Sequence, residues 1–289
     1  MTVTYDIIYV EGDKMIISIK VRLEPNNKQN SKMFQSAGTA RWSYNWALSK
    51  QQENYNQGNK FLQDGVLRKE LTQLKKTDKF SWLKHYSNNI TKQAIKDCCN
   101  AYKKFFKGLA EPPKFKSRKK SKPSFYQDTA KIKFTSMHVR LEKIGWIRLS
   151  ERNRIPVDTK YMNPRVNFDG VHWFISVGIE IENIKSELTN ESIGIDLGIK
   201  DLAICSNKMT FKNINKTSKV KKLEKEIRRL QRMVSNKYQL NKKGGSYVKT
   251  SNIIKLEKKI KKVYKNLDNI RTNYIHQVTT KIVKTKPSR

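Results

Sequence analysis

The sequence predicts an α+β multidomain protein: a split small β-barrel interrupted by helices, then a short pair of strands and a basic helical hairpin. Three observations carry that reading. Residues 15–23 (MIISIKVRL) alternate apolar and polar side chains, the period of a half-buried strand. Residues 131–182 return to short, β-rich, turn-separated runs after a helical block, so the early strand can belong to the later sheet. Residues 218–284 carry two apolar seams stepping by three and four on either side of a Gly-Gly loop.

Taken in order, Pro25 and two asparagines break the first strand. From Ser31 the spacing of Phe34, Ala37, Arg41, Tyr44 and Leu48 is helical, and Gly58 marks a turn. Residues 66–76 and 89–107 predict two more helices, the latter with Ala94, Cys98, Ala101, Tyr102 and Phe105 on one side. Pro112–Pro113 ends the helical block. Strands are expected at 131–134, 139–141, 146–149, 161–168 and 172–182, as a small barrel or curled sheet. Residues 192–205 (SIGIDLGIKDLAIC) predict two strands around a tight turn near 199–201. Helices follow at 218–236 and 252–284, with a loop at 241–246 (NKKGGS). Two strands and a hairpin bury too little to be a whole domain, so a truncated C-terminal domain is expected.

Charge sets the partner class. The 289 residues hold 61 Lys and Arg against 25 Asp and Glu, a net charge of +36, far more than solubility requires. Nucleic acid is the expected partner, and aromatics at 10% supply real cores. No run of 18 apolar residues is present and residues 1–10 lack the features of a signal peptide, so a cytoplasmic, nucleoid-associated protein with no membrane partner is expected. Cys98, Cys99 and Cys205 form neither a disulfide framework nor a CxxC pair, so zinc is not expected and the thiols are core filler. His85, His138, His172 and His276 are scattered and read as structural or exposed.

Two basic stretches stand out. Residues 102–123 hold nine Lys/Arg and one acid, interleaved with Phe115, and residues 211–289 hold 24 against 4. A solvated helix face ordinarily mixes signs to gain i,i+4 pairs; this one does not. Lys114, Lys116, Arg118, Lys119, Lys120 and Lys122 in the first, and Lys221, Lys222, Lys225, Arg228, Arg229 and Arg232 in the second, are candidate phosphate contacts. Arg41 and Asn45, one turn apart, are candidates for phosphate or base contact, against a plain packed helix. Asp196 lies between Ile195 and Leu197 in an apolar strand, where a carboxylate is costly unless paired or metal-bound. It reads as the first metal ligand of an RNase H-like nuclease, as part of the phosphate loop of an actin-like ATPase, or as an incidental strand residue.

Six collinear stretches carry a family resemblance: RLEPNNKQ (22–29), ARWSYNWAL (40–48), AYKKFFK (101–107), PKFKSRKKSKPSF (113–125), LEKIGWIRL (141–149) and GIDLGIKDLAICS (194–206). The chain resembles the transposon-encoded TnpB (OrfB) proteins, relatives of type V CRISPR effectors. The resemblance implies a wedge-type β-barrel at 1–26 plus 120–186, a helical recognition insert with a basic linker at 27–119, and a partial RuvC nuclease domain at 190–289. It implies a transposon-derived guide RNA and a target DNA as partners, with base pairing reading most of the target. Asp196 matches the family's first catalytic aspartate, a Mg²⁺ ligand. The family's second carboxylate, a Glu on the strand after the hairpin, its third, an Asp, and the zinc ribbon between them have no counterpart here. One Asp with waters holds Mg²⁺ weakly, and a two-metal clamp needs several carboxylates. The expectation is a C-terminally truncated, cleavage-deficient member. A catalytically dead RNA-guided DNA-binding repressor, a non-functional transposon remnant and an unguided RNA binder are the alternatives. The oligomeric state is left open.

Overall fold

The computed structural model describes residues 6–11, 14–182 and 192–285. The expected domain limits at 186 and 190, and residues 1–5 of the segment without a signal peptide, lie outside them. The chain divides into two compact units between residues 183 and 184.

The first unit is a sheet clasped by helices. Strands β1 (Asp6–Glu11) and β2 (Lys14–Glu24) precede helices α1 (Asn27–Asn56), α2 (Asp64–Leu74) and α3 (Asn88–Phe106), with a 3-10 segment at Asp78–His85. Strands β3 (Ser124–Tyr126), β4 (Lys133–Phe134), β5 (His138–Leu141), β6 (Gly145–Leu149), β7 (Tyr161–Phe168) and β8 (Trp173–Glu182) follow. The sheet order is β3-β7-β8-β2-β6-β5-β4, with β1 paired to β2. β2, the longest strand, lies centrally. It pairs with β8 from Lys14↔Glu182 to Leu23↔Trp173, and its end pairs with β6 through Leu23↔Leu149 and Glu24↔Arg148. Its alternation buries Ile17, Ile19, Val21 and Leu23 on one face. The sheet curls: Phe134 on β4 and Tyr161 on β7 stand near opposite ends of the order, yet their ring centroids are 4.7 Å apart.

Helix α1 serves two cores. Met33 and Ala37 close the sheet core with Phe125, Val166 and Trp173. A few residues later Tyr44, Ala47 and Leu48 join Leu67, Leu71, Leu83, Ile95 and Cys98 in a second core, on whose edge Trp42 and Trp46 pack. The helix starts at Asn27, earlier than its apolar spacing predicts, because Asn26 and Gln29 form a reciprocal capping box. The Gln29 amide also donates to the Trp146 carbonyl at 2.7 Å, and the Trp173 indole donates to Asn30 at 2.8 Å. The sheet thus grips the first turn of α1. Helix α3 is tied down in the same way. The Ser87 cap hydroxyl donates to Glu142, Lys131 donates to Glu142 at 2.5 Å, and Asn89 donates to Asp128 at 2.6 Å.

The second unit opens with β9 (Ile195–Asp196), β10 (Asp201–Cys205) and β11 (Thr210–Lys212), an antiparallel sheet in the order β11-β10-β9. A 3-10 turn, Ile214–Lys216, leads to α4 (Ser218–Leu240). The short ladder β12 (Lys242–Lys243) and β13 (Ser246–Tyr247) closes over Gly244, whose φ of 57° suits glycine. Helix α5 (Ser251–Val283) runs back along α4. Val220, Ile227 and Leu230 meet Val263 and Leu267 in a narrow seam, as the three-four spacing predicts. The α5 end is tied to the sheet by Tyr274, whose hydroxyl donates to the Lys212 carbonyl at 2.6 Å. The three cysteines are buried and free, and burial pushes the Cys98 thiol up to about 12, so it stays protonated.

Glu142 offers a direct test of the α3 anchor. Partial burial pushes its carboxyl up, but the hydrogen bonds from Lys131 and Ser87 outweigh that and hold it below the usual range. A depressed carboxylate stabilises the fold above the unfolded value, about 4.3, and the contribution fades as pH falls through the folded value. Glu142→Gln is expected to cost about 1 kcal/mol at pH 7. Melting curves should show the gap to wild type closing as pH drops towards 3; a gap that does not change with pH contradicts this anchor.

Candidate nucleic-acid interface

The basic linker after α3 is docked on α1. The Asn45 amide donates to the Lys116 carbonyl, and the Lys116 backbone N–H donates to the Asn45 carbonyl oxygen, both at 2.8 Å. Asn45 therefore spends its amide on the chain, as a clamp. The Lys116 ammonium sits 3.6 Å from the centroid of the Tyr44 ring. Lys116 as a whole is exposed, but this local burial of its ammonium lowers its pKa. Beyond the clamp, the Ser121 N–H donates to the Ser117 carbonyl and the Lys120 N–H to the Ser117 hydroxyl. That turn holds Arg118, Lys119 and Lys120 out to solvent; Lys114 and Lys122 are exposed on either side, and Arg41 is half-buried on α1. Sequence reading missed the partner of this region: Arg165 on β7 grips Asp97 on α3 through two 2.9 Å hydrogen bonds. The two residues are 68 apart in sequence, and no local pattern links them.

The hairpin carries the second basic surface. Lys221, Lys222, Lys225, Arg228, Arg229 and Arg232 are all exposed on α4, and none has an ion-pair partner among the described residues. The acids of the hairpin are engaged elsewhere. Glu224 pairs with Arg271 at 2.8 Å and Glu226 with Lys259 at 3.9 Å. Glu257 takes Lys249 at 2.5 Å, with Tyr238 donating to it at 2.8 Å, and Asp268 takes Lys265 at 3.5 Å. Few acids are available: Glu224, Glu226 and Glu257 tie the two helices or their loop together, Asp268 pairs within α5, and none neutralises the α4 face.

Asp196 stands on β9, which pairs with β10 through Asp196↔Ile204 and Ile195↔Cys205. The sequence reading supposed that its apolar neighbours are buried, making the carboxylate costly. They are not: Leu197 is 75% and Ile199 87% exposed, and Ile195, Asp196 and Ile204 are exposed as well. β9 is an edge strand, so the carboxylate is solvated and needs no partner to exist there. Its backbone is held in place. The Gly194 N–H donates to the Ser206 hydroxyl at 3.1 Å, and the Asn213 amide donates to the Ile199 carbonyl at 2.9 Å. A Cβ on Gly198 would meet the Asp201 carbonyl oxygen at 3.1 Å, a tight approach within the turn. Among the described residues no three His, Cys, Asp or Glu side chains converge to hold a metal. The described residues alone do not fit a two-ion Mg²⁺ clamp. Among them, too, no helix is long and apolar enough to cross a membrane.

The helix-turn-helix domain of the OrfB family matches residues 15–60, and the OrfB family described as "Probable transposase" matches residues 176–288. A relative from Escherichia coli (strain K12), "Putative RNA-guided DNA endonuclease InsQ", is 30% identical over 94% of this chain. The chain belongs to the TnpB (OrfB) family. A "Putative RNA-guided DNA endonuclease" from Streptomyces pristinaespiralis is 24% identical over 92% of the chain. The chain spans 64% of the length of each of these TnpB-type relatives. A solved chain from a cryo-EM structure of a CRISPR-Cas12f ternary complex matches at 11% identity and a TM-score of 0.38, covering 90% of this chain and 62% of that one. Within the region matched as helix-turn-helix, this TnpB-family chain has the strand β2 and the single continuous helix α1.

The α4 face can be tested as a phosphate track. Changing Lys221, Lys225, Arg228 and Arg232 together to Gln should lower the log–log salt slope for binding a 30-nucleotide single-stranded RNA by about 3, at about 0.7 per lost contact. Fluorescence anisotropy between 50 and 300 mM KCl measures it. An unchanged slope removes α4 from the interface.

Proposed function

We propose that this chain is a nucleic-acid-binding protein of the TnpB type, built to hold a transposon-derived guide RNA and, through it, a target DNA. The observation that carries the reading is the unpaired row of six cations on α4, in a chain with a net charge of +36. The exposed Arg118–Lys120 turn adds a second phosphate-seeking surface. Counterion release from a polyanion supplies the binding free energy, and base pairing between guide and target supplies the sequence selection. The relatives' names support the same direction, since both name an RNA-guided DNA endonuclease.

The lineage activity is Mg²⁺-dependent DNA cleavage in a RuvC-type site, with Asp196 as the first metal ligand. For the 289 residues alone we propose binding without cutting. Asp196 is solvated on an edge strand, and among the described residues no group of three acids, histidines or cysteines gathers to hold a metal. In-line hydrolysis of a phosphodiester needs the attacking and leaving oxygens both stabilised by metal, and one carboxylate does not fix two ions.

The test uses the 289-residue polypeptide purified from cells that also express the RNA encoded beside it. Sequencing the co-purifying RNA should return one enriched transcript, and a DNA target complementary to it should be retained but left intact in 10 mM Mg²⁺. Cleavage that disappears on Asp196→Ala overturns the second part of the proposal. Loss of all RNA after nuclease-free purification overturns the first.

A further inference from the structure

A cavity of about 210 Å³ opens in the first unit between α1, α3 and the linker, walled by Arg41, Asp97, Lys116, Lys122 and Arg165. Its charges are unevenly matched. Asp97 is saturated: both its oxygens accept from Arg165 at 2.9 Å, and Gln93 donates to it at 2.8 Å. That pair forms a fixed wall with no net charge to offer. Arg41 is different. It is half-buried, and among the described residues its guanidinium has no hydrogen-bond, ion-pair or ring partner. A guanidinium carries five donors in a planar fork, and with no protein acceptor on them the donors of Arg41 are free for an anion that enters the cavity. Lys122 stands at the same cavity with no acid either. Lys116 lines it too, its ammonium half-desolvated over Tyr44 and its backbone fixed by the Asn45 clamp. A nearby anion restores the stability of that charged form.

We infer that this cavity is a phosphate socket: one phosphodiester of the bound nucleic acid enters it, taken by the fork of Arg41 with Lys122 and Lys116 beside it. The inference rests on the nucleic-acid reading above and deepens it, by giving one phosphate a built position, distinct from the open tracks on the linker turn and on α4. A doubly coordinated phosphate oxygen pair matches the spacing of the Arg41 fork, whereas lysines alone act as point charges. The Asn45 clamp gains a purpose here, since it holds the linker as the cavity wall.

The discriminating variant is Arg41→Gln, with Arg41→Lys beside it. Removing a half-buried, unpartnered cation from a chain of net charge +36 should leave the melting temperature unchanged or raise it. The same change should weaken binding severalfold and lower the salt slope by about one unit. Arg41→Lys should keep the slope and lose part of the affinity, because the charge stays and the fork goes. The probes are a 30-nucleotide single-stranded RNA and a 30-base-pair DNA duplex, read by anisotropy; the polymer whose slope falls is the one that supplies the phosphate. If wild type binds both and Arg41→Gln changes neither slope nor affinity, the socket is wrong. A fall in melting temperature together with an unchanged slope also overturns it, since Arg41 then only packs. If wild type binds neither polymer, it is the nucleic-acid reading itself that fails.

Discussion

Sixty-one Lys and Arg side chains share one chain with 25 Asp and Glu, and the fold forms against that repulsion. Several of the described acids hold elements together. Glu142 pins the start of α3, Asp97 locks α3 to β7 through Arg165, and Glu224 and Glu226 bind α4 to α5. The Arg118–Lys120 turn and one face of α4 are left as rows of exposed cations. A protein that used its acids for surface neutrality would lack these anchors; this one keeps the anchors and leaves the neutralisation to a polyanion.

The periodic elements were legible in the sequence. The alternation of residues 15–23 marks β2, and the three-four seams mark α4 and α5 with their shared core of Ile227, Leu230, Val263 and Leu267. Elements that depend on distant partners were not. β3 is three residues long and exists because Phe125 pairs opposite Val166; β1 forms against β2 across a register shift at Ile7/Tyr9. The start of α1 was misplaced because a capping box, and not an apolar residue, sets it. Trp42 and Trp46 pack on the edge of the helical core.

The candidate site was legible in kind and less so in arrangement. A carboxylate between isoleucine and leucine suggests a buried strand, but burial depends on what covers the sheet, and β9 is an exposed edge. Asn45 looked like a base reader; in the fold its amide closes on the Lys116 backbone. Arg165 and Asp97 gave no sequence signal, since each is one charged residue among many until β7 and α3 are brought together. Charge counts find the polyanion partner, whereas only the fold shows which cations are unpaired.

The account turns on the claim that the cation surplus is uncompensated within the fold. The most direct measurement is the melting temperature of the nucleic-acid-free polypeptide in 0.1 M and 1 M KCl, across which the screening length falls from about 10 to about 3 Å. Relief of self-repulsion predicts a melting temperature that climbs with KCl, and a comparable climb at 0.1 M on adding a single-stranded oligonucleotide. A melting temperature that stays flat or drops with KCl would mean that the fold already balances its own charge, and would contradict the account.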